Sequence, residues 1–166
     1  KVASALGIES KMVEGRRITD AEMLEVVTMV YGGLVNKNIV AKLQARGICA
    51  LGLTGADMDV IRSHKRPLKK VRTDDGTERM VDFGFVGDVD RADGERLAML
   101  IEGGITPVVA PLTHDGDGNI LNTNADTMAS TVAKALARKY DVTLIFSFEK
   151  KGVLANPDDD DSVIPT

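Results

Sequence analysis

Asn122-Thr123-Asn124-Ala125-Asp126 sets polar side chains at alternate positions where a loop gives way to a helical pattern through Met128, Val132 and Leu136. Such a stretch is poorly suited to a core and well placed to meet a ligand. A helix start carries unpaired backbone N–H groups and the positive end of the dipole. The competing account is capping, since Asn and Asp are favoured N-cap and first-turn residues; one of Asn122, Asn124 and Asp126 is therefore expected to be structural. A second polar group, Thr54-Gly55-Ala56-Asp57, follows an apolar run. A glycine there permits close backbone approach to a phosphate or carboxylate, but the spacing is neither the dinucleotide fingerprint nor the P-loop, and a simple turn also explains it. Arg17 stands just ahead of a helix signal, where its guanidinium is able to clamp a carboxylate in bidentate fashion. The Arg16-Arg17 pair reads equally as solvated surface.

Other polar residues carry less. Asp115, Asp117 and Gly118 lack the glutamate that closes an EF-hand loop, so a polar turn is the better account. Residues 158–161 are four aspartates in a row, expected to be a solvated acidic run rather than a metal site. His64 and His114 have no ligand spacing between them, and no Ser/His/Asp or Cys/His arrangement marks a nucleophile. Cys49 is the only cysteine. It cannot form an internal disulfide, which suits a cytoplasmic setting, and its place in the apolar run 48–53 predicts a buried thiol.

The elements that position these residues follow from periodicity. Thr19 and Glu22 form a capping box with Asp20 in the first turn, and Met23, Leu24, Val27, Val30 and Tyr31 share one helical face. Gly32-Gly33 weakens that helix; a second pattern through Leu34, Ile39, Val40 and Leu43 ends at Gly47. Residues 48–53 read as a buried strand. Val71 and Val81 flank the turn 73–77 as a β-hairpin, and Phe83, Phe85, Val86 and Val89 continue as strand. A helix from Asp93 runs through Leu97, Leu100 and Ile101 to Gly103-Gly104. Residues 106–110 are a strand, 114–119 a tight turn, and the helix after Asp126 ends near Tyr140, before a further buried strand at 142–146. Buried strands alternating with amphipathic helices predict an α/β fold: a mostly parallel open sheet covered on both faces, with the hairpin in 66–89 as an insertion. In such sheets ligands bind beyond the carboxyl ends of the strands, which puts the loops 54–57, 112–126 and 147–154 on one edge.

The chain has 166 residues, 43% hydrophobic and 28% charged, with a net charge of −4. That length predicts a single domain with room for a real core. The acidic balance argues against a nucleic-acid partner. No Trp, two Tyr and four Phe argue against single-strand stacking. No apolar run approaches the roughly 18 residues of a membrane span, and no signal peptide is visible.

Taken in order, GRRITDAEMLEVVTMVYGGLVNKNIVAKLQARG, ALGLTGAD, DFGFVGDV, PVVAPL, NTNAD and KKGVL resemble the acetylglutamate kinases of the amino acid kinase superfamily. The match runs from Gly7 to Leu154, and the wording of YGGLVNKNIV and FEKKGVL looks closest to the Bacteroidetes branch, some of whose members are thought to prefer an N-succinyl substrate. The resemblance implies an amino acid kinase fold, a three-layer α/β/α sandwich. It implies transfer of the ATP γ-phosphoryl group, with Mg²⁺ accompanying the nucleotide, to the side-chain carboxylate of N-acetyl-L-glutamate or N-succinyl-L-glutamate in arginine biosynthesis. By the same resemblance Arg17 holds a substrate carboxylate, Asn122 binds the acyl-amino acid, Asn124 orders the same network, and Asp126 is the catalytic aspartate that holds lysines in place. Phe148, Glu149, Lys150, Lys151, Gly152, Val153 and Leu154 match a stretch that contacts the nucleotide. A homodimer through the helix and strand following Asn36 is also implied.

Three departures qualify this. The family's N-terminal strand, with its lysine, glycine pair and His-Gly-Gly-Gly loop, is not matched in 1–166, and neither is the C-terminal part with the second lysine. Residues 147–152 replace the commoner Asp-Val-x-Gly with one residue more; Lys150 and Lys151 there either meet phosphates or are plain loop lysines. The expectation is a single amino acid kinase domain over 1–166 that is the central portion of a longer enzyme. Alternatives are a ligand-binding or oligomerising piece without activity of its own, and a superfamily member acting on aspartate, carbamate, glutamate or UMP; Arg17 and NTNAD favour the acylglutamate branch.

Overall fold

The computed structural model describes residues 2–9, 11–13, 16–72, 77–147, 150–156 and 158–164, with the side chains of residues 16, 17 and 72 outside that description. A short helix α1 (Val2–Ala5) precedes the antiparallel pair β1 (Met12–Val13) and β2 (Arg16–Arg17). Helix α2 (Ala21–Val27) passes into a π-helical stretch, Thr28–Val35, and then α3 (Asn36–Gln44). The expected weakening at Gly32-Gly33 is thus a widening of a continuous helix: without side chains, glycine leaves α geometry at little cost in packing. Strand β3 (Ala50–Leu53) follows, then β4 (Ile61–Lys65), the hairpin β5 (Lys69–Arg72) and β6 (Glu78–Val81), β7 (Val86–Ala92), α4 (Gly94–Glu102), β8 (Thr106–Val109), β9 (Leu112–His114), β10 (Ile120–Thr123) and α5 (Ala125–Leu136).

The class is mixed α/β with parallel strand pairs, and the pairing is more divided than one open sheet. β3 and β8 form a parallel pair, Leu53 opposite Val109. α3 covers the outer side of β3: Lys37 Nζ and Gln44 Nε2 donate to the carbonyls of Gly52 and Ala50, each at 3.1 Å. β4, β7, β10 and β9 close on themselves as a four-stranded barrel. Its pairs β4–β7 and β9–β10 are antiparallel, while β7–β10 and the single β4–β9 contact are parallel. Closure leaves none of these strands with a free edge.

So narrow a ring has little internal space, and Gly87 supplies it: a Cβ there would stand 2.7 Å from Thr123 Oγ1 and 2.9 Å from Leu121 Cβ. The buried hydroxyls of Thr113 and Thr123 satisfy one another at 2.7 Å. Ser63 Oγ is buried with no hydrogen-bond partner among the described residues.

Apolar packing falls into separate clusters. Leu53, Val60, Ile61, Leu97 and Met128 form the core under α4 and α5. Met23, Val26, Val27 and Leu112 seat α2 on the β9–β10 hairpin. Val71, Phe83 and Val86 anchor the β5–β6 hairpin that the flanking valines predict.

Several expectations are corrected. The cap of α2 is Asp20, whose carboxylate accepts the Met23 N–H at 3.0 Å. Thr19 is fully buried and committed elsewhere: its N–H donates to Phe83 O at 2.9 Å and its carbonyl accepts from Phe85 N at 2.7 Å. Cys49 is exposed, because it precedes the strand's first residue, Ala50. Residues 142–146 are not a strand, and Ile145 is 79% exposed. A β-branched run becomes a strand only when a neighbour completes its ladder, and no described strand pairs with this one.

Two substitutions test this account. Gly84 has φ +74, and a Cβ on it would meet Thr19 O at 2.1 Å; Gly84→Ala is expected to cost about 2 kcal/mol or more of folding stability, read by urea unfolding. Ser63→Ala removes a hydroxyl that is desolvated without return, and is expected to be neutral or to stabilise by about 1 kcal/mol in the same measurement.

Candidate functional site

β10 delivers Asn122 to a specific neighbourhood. Its strand lies between β7 and β9, so Asn122 stands opposite both Val86 and Leu112. Its N–H donates to Phe85 O at 2.8 Å, and its side-chain Nδ2 donates to Thr19 Oγ1 at 3.0 Å. Thr19 is two residues from Arg17 in β2. The structure therefore brings Asn122 beside the segment that carries Arg17, across more than a hundred residues of sequence. The clamp expected of the Arg17 guanidinium lies outside the described residues.

The polar stretch divides its labour. Thr123 turns its hydroxyl into the barrel. Asn124 is the N-cap of α5, its Oδ1 accepting from Thr127 N at 2.8 Å and Thr127 Oγ1 at 3.0 Å. That is the capping role anticipated for one of the three. Asp126, in the first turn, is exposed and has no ion pair or hydrogen bond among the described residues.

The turn 54–57 joins this edge. Asp57 Oδ2 accepts from Thr54 N at 2.6 Å and Thr54 Oγ1 at 2.9 Å, and Gly55 N donates to Leu112 O at 2.7 Å. Two of the three loops expected on one edge thus meet. The third is a separate small hairpin. Leu154 bridges Val163, and Ile164 N donates to Val153 O at 2.8 Å. Lys150 pairs with Asp160 at 2.5 Å and Lys151 with Asp161 at 2.6 Å. The acidic run therefore neutralises the two lysines, and Gly152 packs on Val163. Phe148 and Glu149 lie outside the described residues.

The densest electrostatic cluster is one that sequence reading missed. Asp59 receives Arg62 Nε at 3.1 Å, His114 Nε2 at 2.8 Å, Arg96 at 3.4 Å and a close contact from Arg91. Arg96 also donates to Met58 O at 2.6 Å. Met58 and Asp59 have φ of 54° and 51°, a left-handed conformation that costs non-glycine residues free energy and persists only when its surroundings enforce it. Burial pushes the Asp59 carboxyl up, but hydrogen bonds from Arg91, His114 and Arg62 outweigh it and hold the group far below the usual carboxylate range. The partners lie between positions 62 and 114, so no local spacing announces them; the one signal available was an Asp-x-Asp just after a strand and a glycine. Nearby, Asp115 closes the polar turn by accepting from Asp117 N at 2.8 Å and Asn119 Nδ2 at 2.6 Å.

Residues 1–165 match the model of the amino acid kinase family. An acetylglutamate kinase of Bacteroides thetaiotaomicron is 68% identical over 165 residues, which are 99% of this chain and 60% of that protein. That of Cytophaga hutchinsonii is 57% identical over the whole chain and 60% of its own length, and that of Methanopyrus kandleri 43% identical over 98% of the chain and 63% of its length. The chain therefore spans about 60% of these curated relatives. Among solved structures, smu.665 of Streptococcus mutans UA159 superposes with a TM-score of 0.68 at 26% identity, covering 82% of this chain and 51% of that one. An N-acetylglutamate synthase of Neisseria gonorrhoeae shares the fold at TM-score 0.60 and 23% identity, over 81% of this chain and 28% of that one.

The depressed Asp59 fixes the sign of a pH dependence. A carboxyl held below its ordinary value of 3.8 contributes stability at neutral pH that is lost as the pH falls below that value. Asp59→Asn is expected to cost about 1–3 kcal/mol at pH 7. Urea unfolding of both proteins down to pH 3 should show that gap narrowing, because the unfolded wild-type chain takes up a proton at this carboxyl that the folded chain does not.

Proposed function

The chain belongs to the amino acid kinase family, and we propose that it is the central portion of an acetylglutamate kinase, transferring the γ-phosphoryl group of ATP to the side-chain carboxylate of an N-acylated glutamate in arginine biosynthesis. The observation that carries this reading is the junction of Asn122 with the Arg17 segment at the foot of α5. Asn122 Nδ2 is spent on Thr19, and Oδ1 has no partner among the described residues. It is free to accept the N–H of an acylamide, while Arg17 supplies a guanidinium for a carboxylate.

In the reaction a side-chain carboxylate oxygen forms a bond to the γ-phosphorus as the bond to the β-bridging oxygen breaks and ADP leaves. The protein's part is to position two anions and offset their charge. Asp126 does not touch phosphoryl oxygens; as an exposed anion at the helix start it orients lysine ammonium groups that do. No cation meets it among the described residues, so residues 1–166 alone are expected to turn over poorly.

Lys150, Lys151, Gly152, Val153 and Leu154, with Phe148 and Glu149, form the nucleotide-contacting stretch in this reading, and the phosphates compete with Asp160 and Asp161 for the two lysines. Among the described residues no cluster of three or more His, Cys, Asp or Glu is placed to hold a metal ion. A Mg²⁺ ion accompanying ATP would supply positive charge to offset that of the phosphates.

The β3–β8 pair is then the centre of a wider parallel sheet in a three-layer sandwich. The helix and strand following Asn36, with Ile39 and Leu51 exposed on them, form the contact of a cytoplasmic homodimer in this reading. No described helix is long and apolar enough to cross a membrane.

Titration calorimetry of the full-length protein with N-acetyl- and N-succinyl-glutamate, with and without ATP, tests the reading; binding of neither overturns it. In the full-length enzyme Asn122→Ala is expected to raise the KM for the acyl-amino acid about tenfold or more, with the KM for ATP unchanged. Asp126→Asn is expected to lower kcat by about 10²-fold with only the small loss of melting temperature that a first-turn helix charge carries.

A further inference from the structure

We propose that Asp59 is a positioning residue for the acyl-amino acid site, locking the β3 exit turn and the β9–β10 hairpin into the register that sets Asn122. This rests on the proposed function for its substrate and on the geometry of the Asp59 cluster for its mechanism.

The route from Asp59 to Asn122 is short and made of named contacts. His114, held by Asp59 at 2.8 Å, is the last residue of β9. β9 pairs with β10 so that His114 faces Ile120 and Leu112 faces Asn122. On the other side, Asp59 ends the turn that begins at Thr54, and within that turn Gly55 N donates to Leu112 O at 2.7 Å. Leu112 is thus gripped from both directions: by its own strand through His114, and by the turn through Gly55. Arg62 adds a further tie, because its guanidinium packs beneath Gly116 in the loop that joins β9 to β10.

The cluster also draws in β4 through Arg62, β7 through Arg91 and α4 through Arg96. The Asp59 carboxylate meets three guanidinium groups and an imidazole, and Asp93 adds a second carboxylate to Arg96 alone, at 3.3 Å. Removing the Asp59 charge leaves the guanidinium groups repelling one another across the elements they join. It also releases the left-handed Met58–Asp59 pair, whose φ values of 54° and 51° relax toward the ordinary regions once nothing enforces them. The turn and hairpin then lose register with respect to each other, and Asn122 moves with them.

The test uses the full-length protein carrying Asp59→Asn, which keeps the side-chain shape. Hydrogen exchange reads the mechanism without substrate. The amides of Gly55 and Asn122, which donate to Leu112 O and Phe85 O, are expected to gain about tenfold or more in exchange rate beyond the change in α5, whose amides register only the global loss of stability. Steady-state kinetics read the consequence: KM for the acyl-amino acid rises about fivefold or more, and KM for ATP stays within about twofold. Faster exchange spread evenly over the protein, or equal change in both KM values, would show a general structural role and overturn the proposal, as would unchanged exchange at Gly55 and Asn122. Should Asp59→Asn fail to fold, Arg91→Gln loosens the same cluster while leaving the carboxylate in place, and the same readings decide. A wild-type protein that does not use acylglutamate defeats the proposed function alone, because the exchange result stands apart from the substrate.

Discussion

The half-buried carboxylate of Asp59 is the constraint on which the corner of the molecule beside the candidate site depends. Arg62, Arg91, Arg96 and His114 come from three strands and a helix, and Asp59 meets all four, with Asp93 making a second ion pair to Arg96. Guanidinium groups so placed repel one another, and partial burial deprives them of the water that would screen the repulsion. The closed barrel is tolerable at this corner because Asp59 supplies opposite charge at the point of convergence. The left-handed Met58–Asp59 backbone is the conformational cost of bringing it there. Surface pairs such as Lys150–Asp160 and Lys151–Asp161 differ in kind: each joins neighbours within one small hairpin, both partners are mostly solvated, and neither ties distant elements together.

A second constraint acts inside the barrel. Four strands close a ring only if some interior positions carry almost nothing, and Gly87 beside Thr113 and Thr123 shows how close the walls come. The ring is lined in part by hydroxyls rather than by large apolar side chains. Two of them satisfy each other, and Ser63 is left over. The larger apolar clusters lie outside the ring, under α4 and α5 and beneath α2. Helix packing therefore carries most of the hydrophobic stabilisation, while the barrel chiefly fixes register. Register is what matters to Asn122, since a slip of one residue would turn its side chain from Thr19 to the opposite face.

Legibility from sequence tracked the range of the interaction. Helices α2, α4 and α5 announce themselves through apolar periodicity, and the caps Asp93 and Asn124 sit where spacing puts them. The β5–β6 hairpin was readable from its valines, and the strand at Thr106–Val109 from its apolar run. Thr19 was misread because a Ser/Thr three residues before Glu is locally a good capping box. Long-range pairing with Phe83, Phe85 and Asn122 took its backbone and hydroxyl away, and Asp20 capped instead. Residues 142–146 have strand composition, but composition does not supply a partner. Cys49 is exposed because its run begins two residues before the strand does. Asp59 was invisible for the same reason in stronger form: each partner is an ordinary surface arginine or histidine in sequence, and only the closed topology makes them converge.

The 122–126 stretch resolves the contest between capping and function by dividing it. A strand alternates its side chains, so Asn122 faces Thr19 while Thr123 faces the barrel interior. The next residue, Asn124, leaves the strand with φ −69° and ψ 123° and turns its oxygen onto the Thr127 N–H. Because Asn124 takes the cap, Asp126 is released from it. A carboxylate in the first turn is stabilised by the helix dipole without being consumed by a backbone hydrogen bond, and so it stays available to cations. Had Asp126 been the cap, its charge would have been directed into the helix. One residue serves the strand's neighbour, one serves the helix, and the third is left facing outward as an anion; the alternation that first made the stretch conspicuous is what permits this separation.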